Sequence, residues 1–360
     1  MKITRVEATP LYIELNIDIL GINKTNGLSL VLVEVETDGG LLGHGITAIM
    51  DEDVVASAVN DLAGPTIIGE NPMANERIWE KLYWQLTPRG QTGYGGHAIA
   101  AIDVALWDIK GKFLEQPLWK LLGGHRDRVP TYASGALRRG LTDDQTQQAA
   151  QTLLDKGFRE MKTQMALPGN PSPEDELRRI RVIRDVIGPD IKLMCDINQR
   201  WRPEQAINIG SRAEDVGLFW LEDVTTADDY AGLARVTAAL NTPIAGGEYL
   251  WGIAPFRQMI EARSVDIVMV DIVRAGGATQ WMKIAGMAEA FNLPIVSHVM
   301  PEILVHVVAA CPNGLTVEYM PWMLCLYEET PAVENGEMVL PDKPGLGLKF
   351  DEAAISSYKA

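Results

Sequence analysis

The strongest constraint on this chain is a rhythm that begins near Val129. From there, short apolar runs alternate with amphipathic segments almost to the end. The runs are VPTYASG, EMKTQMA, IKLMCDIN, LFWLED, TPIAGGE, DIVMVDI, LPIVSHV and LTVEYM. Between them lie stretches of helical spacing such as SPEDELRRIRVIRDVIG, where Ser172 can cap the N-terminus and Glu174 and Asp175 fall in the first turn. Parallel strands need long crossover connections, and this many strand–helix alternations point to a closed barrel. The prediction is an α/β protein in which eight strands, most of them followed by a helix, form a parallel (β/α) TIM-like barrel over residues 127–320.

Ahead of the barrel the pattern is different. MKITRVEATPLYIEL alternates like a strand, and SLVLVEVETDGGLLGHGIT is two alternating runs about Asp38-Gly39-Gly40, a hairpin signal. GHAIAAIDVALWDIKGKFLEQPLWKLLGG spaces its apolar residues like a helix that stops at Gly123-Gly124. Residues 1–126 are therefore predicted to form an α+β domain, and the Pro- and Gly-rich segment 321–360 to return to it.

With 360 residues, 47% of them hydrophobic, the chain can bury a large core. A formal charge of −16 argues against non-specific nucleic-acid binding and offers no basic patch to a membrane. It does not exclude an anionic substrate, because a local cation can outweigh the global field. Cys195, Cys311 and Cys325 are an odd set with no CxxC spacing, as in a reducing compartment. With no signal-peptide pattern and no apolar run long enough for a bilayer, the expectation is a cytoplasmic protein.

Chemistry gathers where the predicted strands end, the face on which barrels of this kind carry their sites. The second run ends in Lys162 and Gln164, the third in Asp196 and Asn198, the fourth in Glu222 and Asp223. The next four end in Glu248, Asp271, His298 and Glu318. So many acids in one mouth would repel and resist desolvation unless a cation sits among them. Asp196, Glu222 and Glu248, from three adjacent strands, suit a hard octahedral ion, Mg²⁺ by preference with Mn²⁺ as a substitute. Asp223 follows Glu222 and should face the other way, and Asp266 reads as a structural strand start. His298 beside Asp271 reads as a general base whose tautomer the carboxylate fixes. His44, His97, His125 and His306 fall in contexts that favour packed or solvated roles.

The motifs AIAAIDVALWDIKGK, LWKLLGG, DIN, LED, GGE, VDIVRAGG, SHVMPE and VEY occur in an order that resembles the mandelate racemase subgroup of the enolase superfamily. The resemblance spans nearly the whole chain. It implies a capping α+β domain, built from residues 1–126 and the returning tail, over a (β/α)7β barrel, Mg²⁺ on Asp196, Glu222 and Glu248, and abstraction of a proton α to a carboxylate. His298–Asp271 would be the base dyad, as the Lys or His base of enolase-superfamily sites. Lys162 would support the substrate carboxylate, and Glu318 would donate to it as a protonated acid. Asn198 and Arg274 would orient substrate.

The chain departs from the subgroup's Lys-x-Lys motif at Lys162-Thr163-Gln164, where an amide replaces the second lysine. An amide takes no proton at neutral pH but can hydrogen-bond substrate. A single base favours dehydration of an aldonate or aldarate to a 2-keto-3-deoxy acid. The alternatives are a racemase, epimerase or cycloisomerase on the same scaffold, or a catalytically reduced sugar-acid binding protein. The resemblance also implies a homo-oligomer, dimer or octamer. Cap loops at residues 16–27 and 87–96 would set specificity, with Arg89 and Tyr94 reaching the distal end of the substrate.

Overall fold

A computed structural model describes residues 1–16, 25–90 and 92–360. Strand β1 (Ile3–Asn16) pairs antiparallel with β2 (Thr25–Thr37), and β2 with β3 (Leu42–Ala48). Most of the 16–27 loop, for which a specificity role is expected, lies outside the described residues. The β2–β3 turn falls at Asp38-Gly39-Gly40, with Gly40 at φ 76°. Helices α1 (Glu52–Ser57), α2 (Gly64–Ile67), α3 (Asn75–Leu86) and α4 (Tyr94–Phe113) complete the cap. Val31, Val33 and Val35 pack with Ile99, Ile102 and Leu106 in its core. Helix α4 lies so close to β3 that a Cβ on Gly45 would sit 1.8 Å from the Ala101 carbonyl oxygen.

The helix expected to continue to Gly123 stops at Phe113 instead, and a separate α5 (Leu118–Leu121) follows. Pro117 is the cause: it lacks an N–H and bars helical backbone at Gln116. Glu115 absorbs the break at φ 52°.

The barrel strands are β4 (Arg128–Leu137), β5 (Glu160–Gln164), β6 (Lys192–Asp196), β7 (Trp220–Glu222), β8 (Ile244–Gly246), β9 (Ile267–Asp271), β10 (Ile295–His298) and β11 (Val317–Tyr319). They pair in parallel in chain order from β4 to β10, and β11 pairs in parallel with β4. Closure comes from Leu315 N donating to Ile295 O (2.9 Å) and Ile295 N donating to Asn313 O (2.9 Å). The crossovers are α6 (Asp143–Asp155), α7 (Pro173–Ile187), α8 (Pro203–Arg212), α9 (Tyr230–Ala239), α10 (Ile253–Glu261), the pair α11 (Ile272–Ala275) and α12 (Ala278–Ala290), and α13 (Pro301–Ala310). No α-helix follows β11 within the barrel, so the architecture is the (β/α)7β barrel that the resemblance implies. Capping boxes start α6 at Thr142 and α7 at Ser172.

After the barrel come β12 (Tyr327–Glu329), β13 (Val333–Glu334), β14 (Glu337–Val339), β15 (Lys349–Phe350) and α14 (Glu352–Ser357). Strand β14 pairs antiparallel with the start of β4. The last residues reach the cap, where Tyr12 N donates to Tyr358 O (2.8 Å) and Ala360 N to Pro10 O (3.2 Å). Among the described residues no helix is long and apolar enough to cross a membrane.

Candidate active site

Strand alternation builds the mouth from the floor upward. Tyr132, Met194, Trp220, Ala245, Met269 and Val296 form an apolar cluster inside the barrel. Two residues further along four of these strands stand Asp196, Glu222, Asp271 and His298, all buried. Glu248 cannot arrive by alternation, since it lies three residues beyond Ala245. Gly247, at φ 123°, makes the adjustment, and a Cβ there would sit 2.6 Å from the Met269 carbonyl oxygen.

Asp271 divides its carboxylate between two tasks. Oδ1 accepts from Val273 N and Arg274 N, each at 2.8 Å, which caps α11. Oδ2 lies 2.7 Å from His298 Nδ1. Burial pushes the carboxyl up, but the imidazole and Arg274 outweigh it and hold Asp271 at about 2. For His298 burial lowers the imidazole, while Glu248 and Asp271 outweigh it and raise the ring to about 9. With Nδ1 committed, Nε2 faces the acid cluster, 3.4 Å from Glu248 Oε1.

Lys162 is 5% exposed, and its Nζ lies 2.5 Å from Glu222 Oε1 and 2.8 Å from Glu318 Oε1. Burial alone would discharge this ammonium, but Glu222 and Glu318 outweigh it and hold its pKa well above the usual lysine value. Glu318 Oε2 accepts from Val299 N at 2.6 Å. Burial raises that carboxyl, yet Lys162 and His298 pull it down to about 2. Lys162 Nζ and Val299 N both lie against Glu318, and this favours its ionised form over the protonated donor that the resemblance implies.

Asp196 accepts from Asn198 N at 2.8 Å and from Asn198 Nδ2 at 2.7 Å. Arg139, which sequence reasoning passed over, donates to Asn198 Oδ1. Asp223 departs from the expectation that it turns away. Its backbone is left-handed at φ 44°, which breaks the alternation, and one carboxylate oxygen from each of Glu222, Asp223 and Glu248 falls within 4.8 Å of the others. Asp196 is not in that trio, although it pairs in register with Glu222.

This cluster carries more negative charge than its cations balance. Burial together with Asp196 and Glu248 pushes Glu222 well above the carboxylate range, against the pull of Lys162. Burial lifts Glu248 to about 8. Glu248 Oε2 and Asp223 Oδ2 are buried without a hydrogen-bond partner. Orphaned acceptors cost free energy, and an all-oxygen donor set of this kind fits a hard divalent cation.

The cavity above the cluster measures about 170 Å³, with Gln164, Asn198, Tyr249, Arg274 and Trp322 among its walls. Arg274 Nη1 donates to Glu248 O at 2.8 Å, and its guanidinium lies 5.1 Å from the Tyr249 ring centre. Ile49 of the cap and Met320 and Trp322 after β11 also line it, and no motif had marked them. Arg89 and Tyr94 are not among the lining residues. Arg89 is exposed and turns back to Gln85 O at 3.0 Å, and Tyr94 is 47% exposed. Their neighbours Thr92 and Gly96 border a separate groove instead. His97 and His306 have packed roles, against Thr47 Oγ1 (2.6 Å) and Leu346 O (3.0 Å), and burial lowers each to about 4.

Two family models cover most of the chain. The mandelate racemase / muconate lactonizing enzyme N-terminal domain matches residues 17–123, and the enolase C-terminal domain-like family matches residues 145–354. The chain belongs to the enolase superfamily. Its mandelate racemase-like relatives include the 3,6-anhydro-alpha-L-galactonate cycloisomerase of Streptomyces coelicolor, 34% identical over 89% of this chain and 89% of the relative. Another is the L-talarate/galactarate dehydratase of Salmonella typhimurium, 32% identical over 91% of this chain and 82% of the relative. Among solved structures, the L-talarate dehydratase from Polaromonas sp. JS666 complexed with Mg and L-glucarate superposes with a TM-score of 0.91 at 31% identity, over 100% of this chain and 97% of that one.

Proposed function

We propose that this superfamily member is a Mg²⁺-dependent dehydratase of an aldonate or aldarate, with Asp196, Glu222 and Glu248 as the residues that hold the ion. The observation that carries the reading is a single imidazole, backed by Asp271, facing the acid cluster across a cavity whose Lys-x-Lys motif ends in an amide. The orphaned oxygen of Glu248 supports the metal, and the Mg-bearing relatives support its identity.

In its neutral form, which a cation balancing Glu248 would favour over the raised value near 9, His298 takes the α-proton on Nε2 while Asp271 stabilises the imidazolium that forms. When bound, the ion supplies positive charge beside the developing enediolate. Lys162 adds a fixed ammonium that needs no reorganisation during the reaction. The electron pair left at the α-carbon forms the C=C bond as the β C–O bond breaks. The imidazolium returns its proton to the departing hydroxide, so water leaves, and the enol tautomerises to the 2-keto-3-deoxy acid. Gln164 and Asn198 hydrogen-bond substrate hydroxyls, and Arg274 lies near the substrate's carboxylate end.

Incubating a library of acid sugars with the Mg²⁺-loaded enzyme tests this. A product lighter by one water that reacts with semicarbazide is expected. One finding favours a second reading, cycloisomerisation: the 34%-identical relative bears that activity. A product of unchanged mass would support it, and exchange of the α-proton in D₂O without a keto product would support an epimerase.

A further inference from the structure

The floor of the barrel holds one contact that the reaction does not use. Trp220 Nε1 donates to Glu222 Oε2 at 2.9 Å, and neither residue is exposed to solvent. The indole is itself immobilised, edge-on to Tyr132 with ring centres 5.4 Å apart at 89°. Glu222 Oε1 is the oxygen that faces Lys162. The two oxygens of one carboxylate are thus assigned to opposite sides, one to the floor and one to the mouth.

We infer that Trp220 is a positioning residue that sets which ion the site accepts. It restricts Glu222 to one ligating oxygen and so favours Mg²⁺ over Ca²⁺. The inference rests on the reading of Glu222 as a metal ligand. Mg²⁺ demands near-ideal octahedral geometry from single oxygens, whereas Ca²⁺ takes more ligands at longer distance and commonly uses both oxygens of a carboxylate. A bidentate bite requires both Glu222 oxygens to turn toward the ion. Turning Oε2 upward would break this hydrogen bond and leave an indole N–H buried without a partner. Asn198 acts in the same direction at Asp196, where each carboxylate oxygen already accepts a hydrogen bond. Partners of ligating carboxylates fix ligand orientation in this way.

The test is calorimetric titration of metal-free protein with Mg²⁺ and, separately, with Ca²⁺, with no sugar acid present. Trp220→Phe keeps a ring on the floor and removes the donor. Mg²⁺ binding is expected to weaken by about 10-fold or more, while Ca²⁺ binding holds or tightens, so the Mg²⁺/Ca²⁺ affinity ratio falls at least about 10-fold. A ratio unchanged from wild type would overturn the inference, whether both affinities fall together or neither moves. A crystal structure of the wild-type Mg²⁺ complex gives an answer free of any variant's folding. Glu222 bound through Oε1 alone, with the indole still on Oε2, is the expected result. Bidentate Glu222 would overturn the selectivity role while leaving the metal site intact, and an ion held away from Glu222 would overturn both.

Discussion

Strand β5 sets lysine against glutamate at each end of the barrel, and the two arrangements serve opposite purposes. At the base Glu160 meets Lys192 at 2.6 Å and also accepts from Thr316 Oγ1 at 2.9 Å. Lys192 is 43% exposed along its side chain, so water shares the charge. Two residues along the same face, Lys162 is sealed from solvent and confronts both Glu222 and Glu318. The base pair balances one buried acid with one half-wet cation. The mouth concentrates more acid than its own cations neutralise, an arrangement that folding alone would not favour and that a bound ion and a substrate can use. The pairing of residue types is the same; solvent and the end of the barrel decide what it does.

The sharpest break between the two ends should appear in turnover. His298→Ala is expected to reduce kcat by roughly 10³-fold or more, with Mg²⁺ affinity by calorimetry within a few-fold of wild type. Gln164→Ala should lose only about 10-fold, because it removes a hydrogen bond and no proton carrier. Comparable losses in steady-state assays of the two variants would remove the case for a single base.

Stability offers the next contrast. Lys162→Met leaves Glu222 and Glu318 buried and unpaired, which is expected to cost about 3–5 kcal/mol in metal-free protein by urea unfolding. Saturating Mg²⁺ should restore part of it, since binding to the native state alone stabilises by mass action. A cost below about 1 kcal/mol would make Lys162 no different from an exposed pair.

Much of this was legible because a barrel translates position along a strand into position in space. Once the eight runs are in register, period-two alternation puts Asp196 above Met194, Glu222 above Trp220 and His298 above Val296. What escaped lies where that rule stops. Asp223 follows the end of β7, and its left-handed backbone turns the carboxylate inward. The strand end fixes the place of Glu318 but not its protonation, which depends on Lys162 and Val299 N converging on it across strands. Arg89 ends a short 3-10 turn and Tyr94 opens α4, and no periodicity encodes which way either faces. Trp220 was visible as an apolar strand residue, but its N–H contact shows only in three dimensions.

A buried acid with no cation beside it gives a smaller effect with a clear sign. Glu302 lies against Tyr327 Oη at 3.3 Å, and burial raises it from 4.5 to about 7. Below pH 4 both folded and unfolded chains carry the proton, so there is no penalty. As pH climbs toward 7 the unfolded chain ionises while the folded one resists, and stability falls. Glu302→Gln should abolish that decline, giving a variant more stable than wild type by on the order of 3 kcal/mol above pH 7 and equal to it near pH 4. Parallel stability curves for the two proteins between pH 4 and 8 would show that Glu302 is already solvated.

The smallest effect belongs to the base of the barrel. Lys192→Met keeps the stem over the Phe219 ring, which the ammonium approaches to 4.4 Å, and removes only the charge. Glu160 would retain the Thr316 hydroxyl, and water already reaches the lysine end of the pair, so the loss should be about 1 kcal/mol or less. Turnover should not change, because no group at the base touches substrate. A cost approaching that of Lys162→Met would mean that burial of the glutamate alone, irrespective of the partner's exposure, governs both pairs. The contrast between the two ends of β5 would then rest on chemistry at the mouth and no longer on energetics.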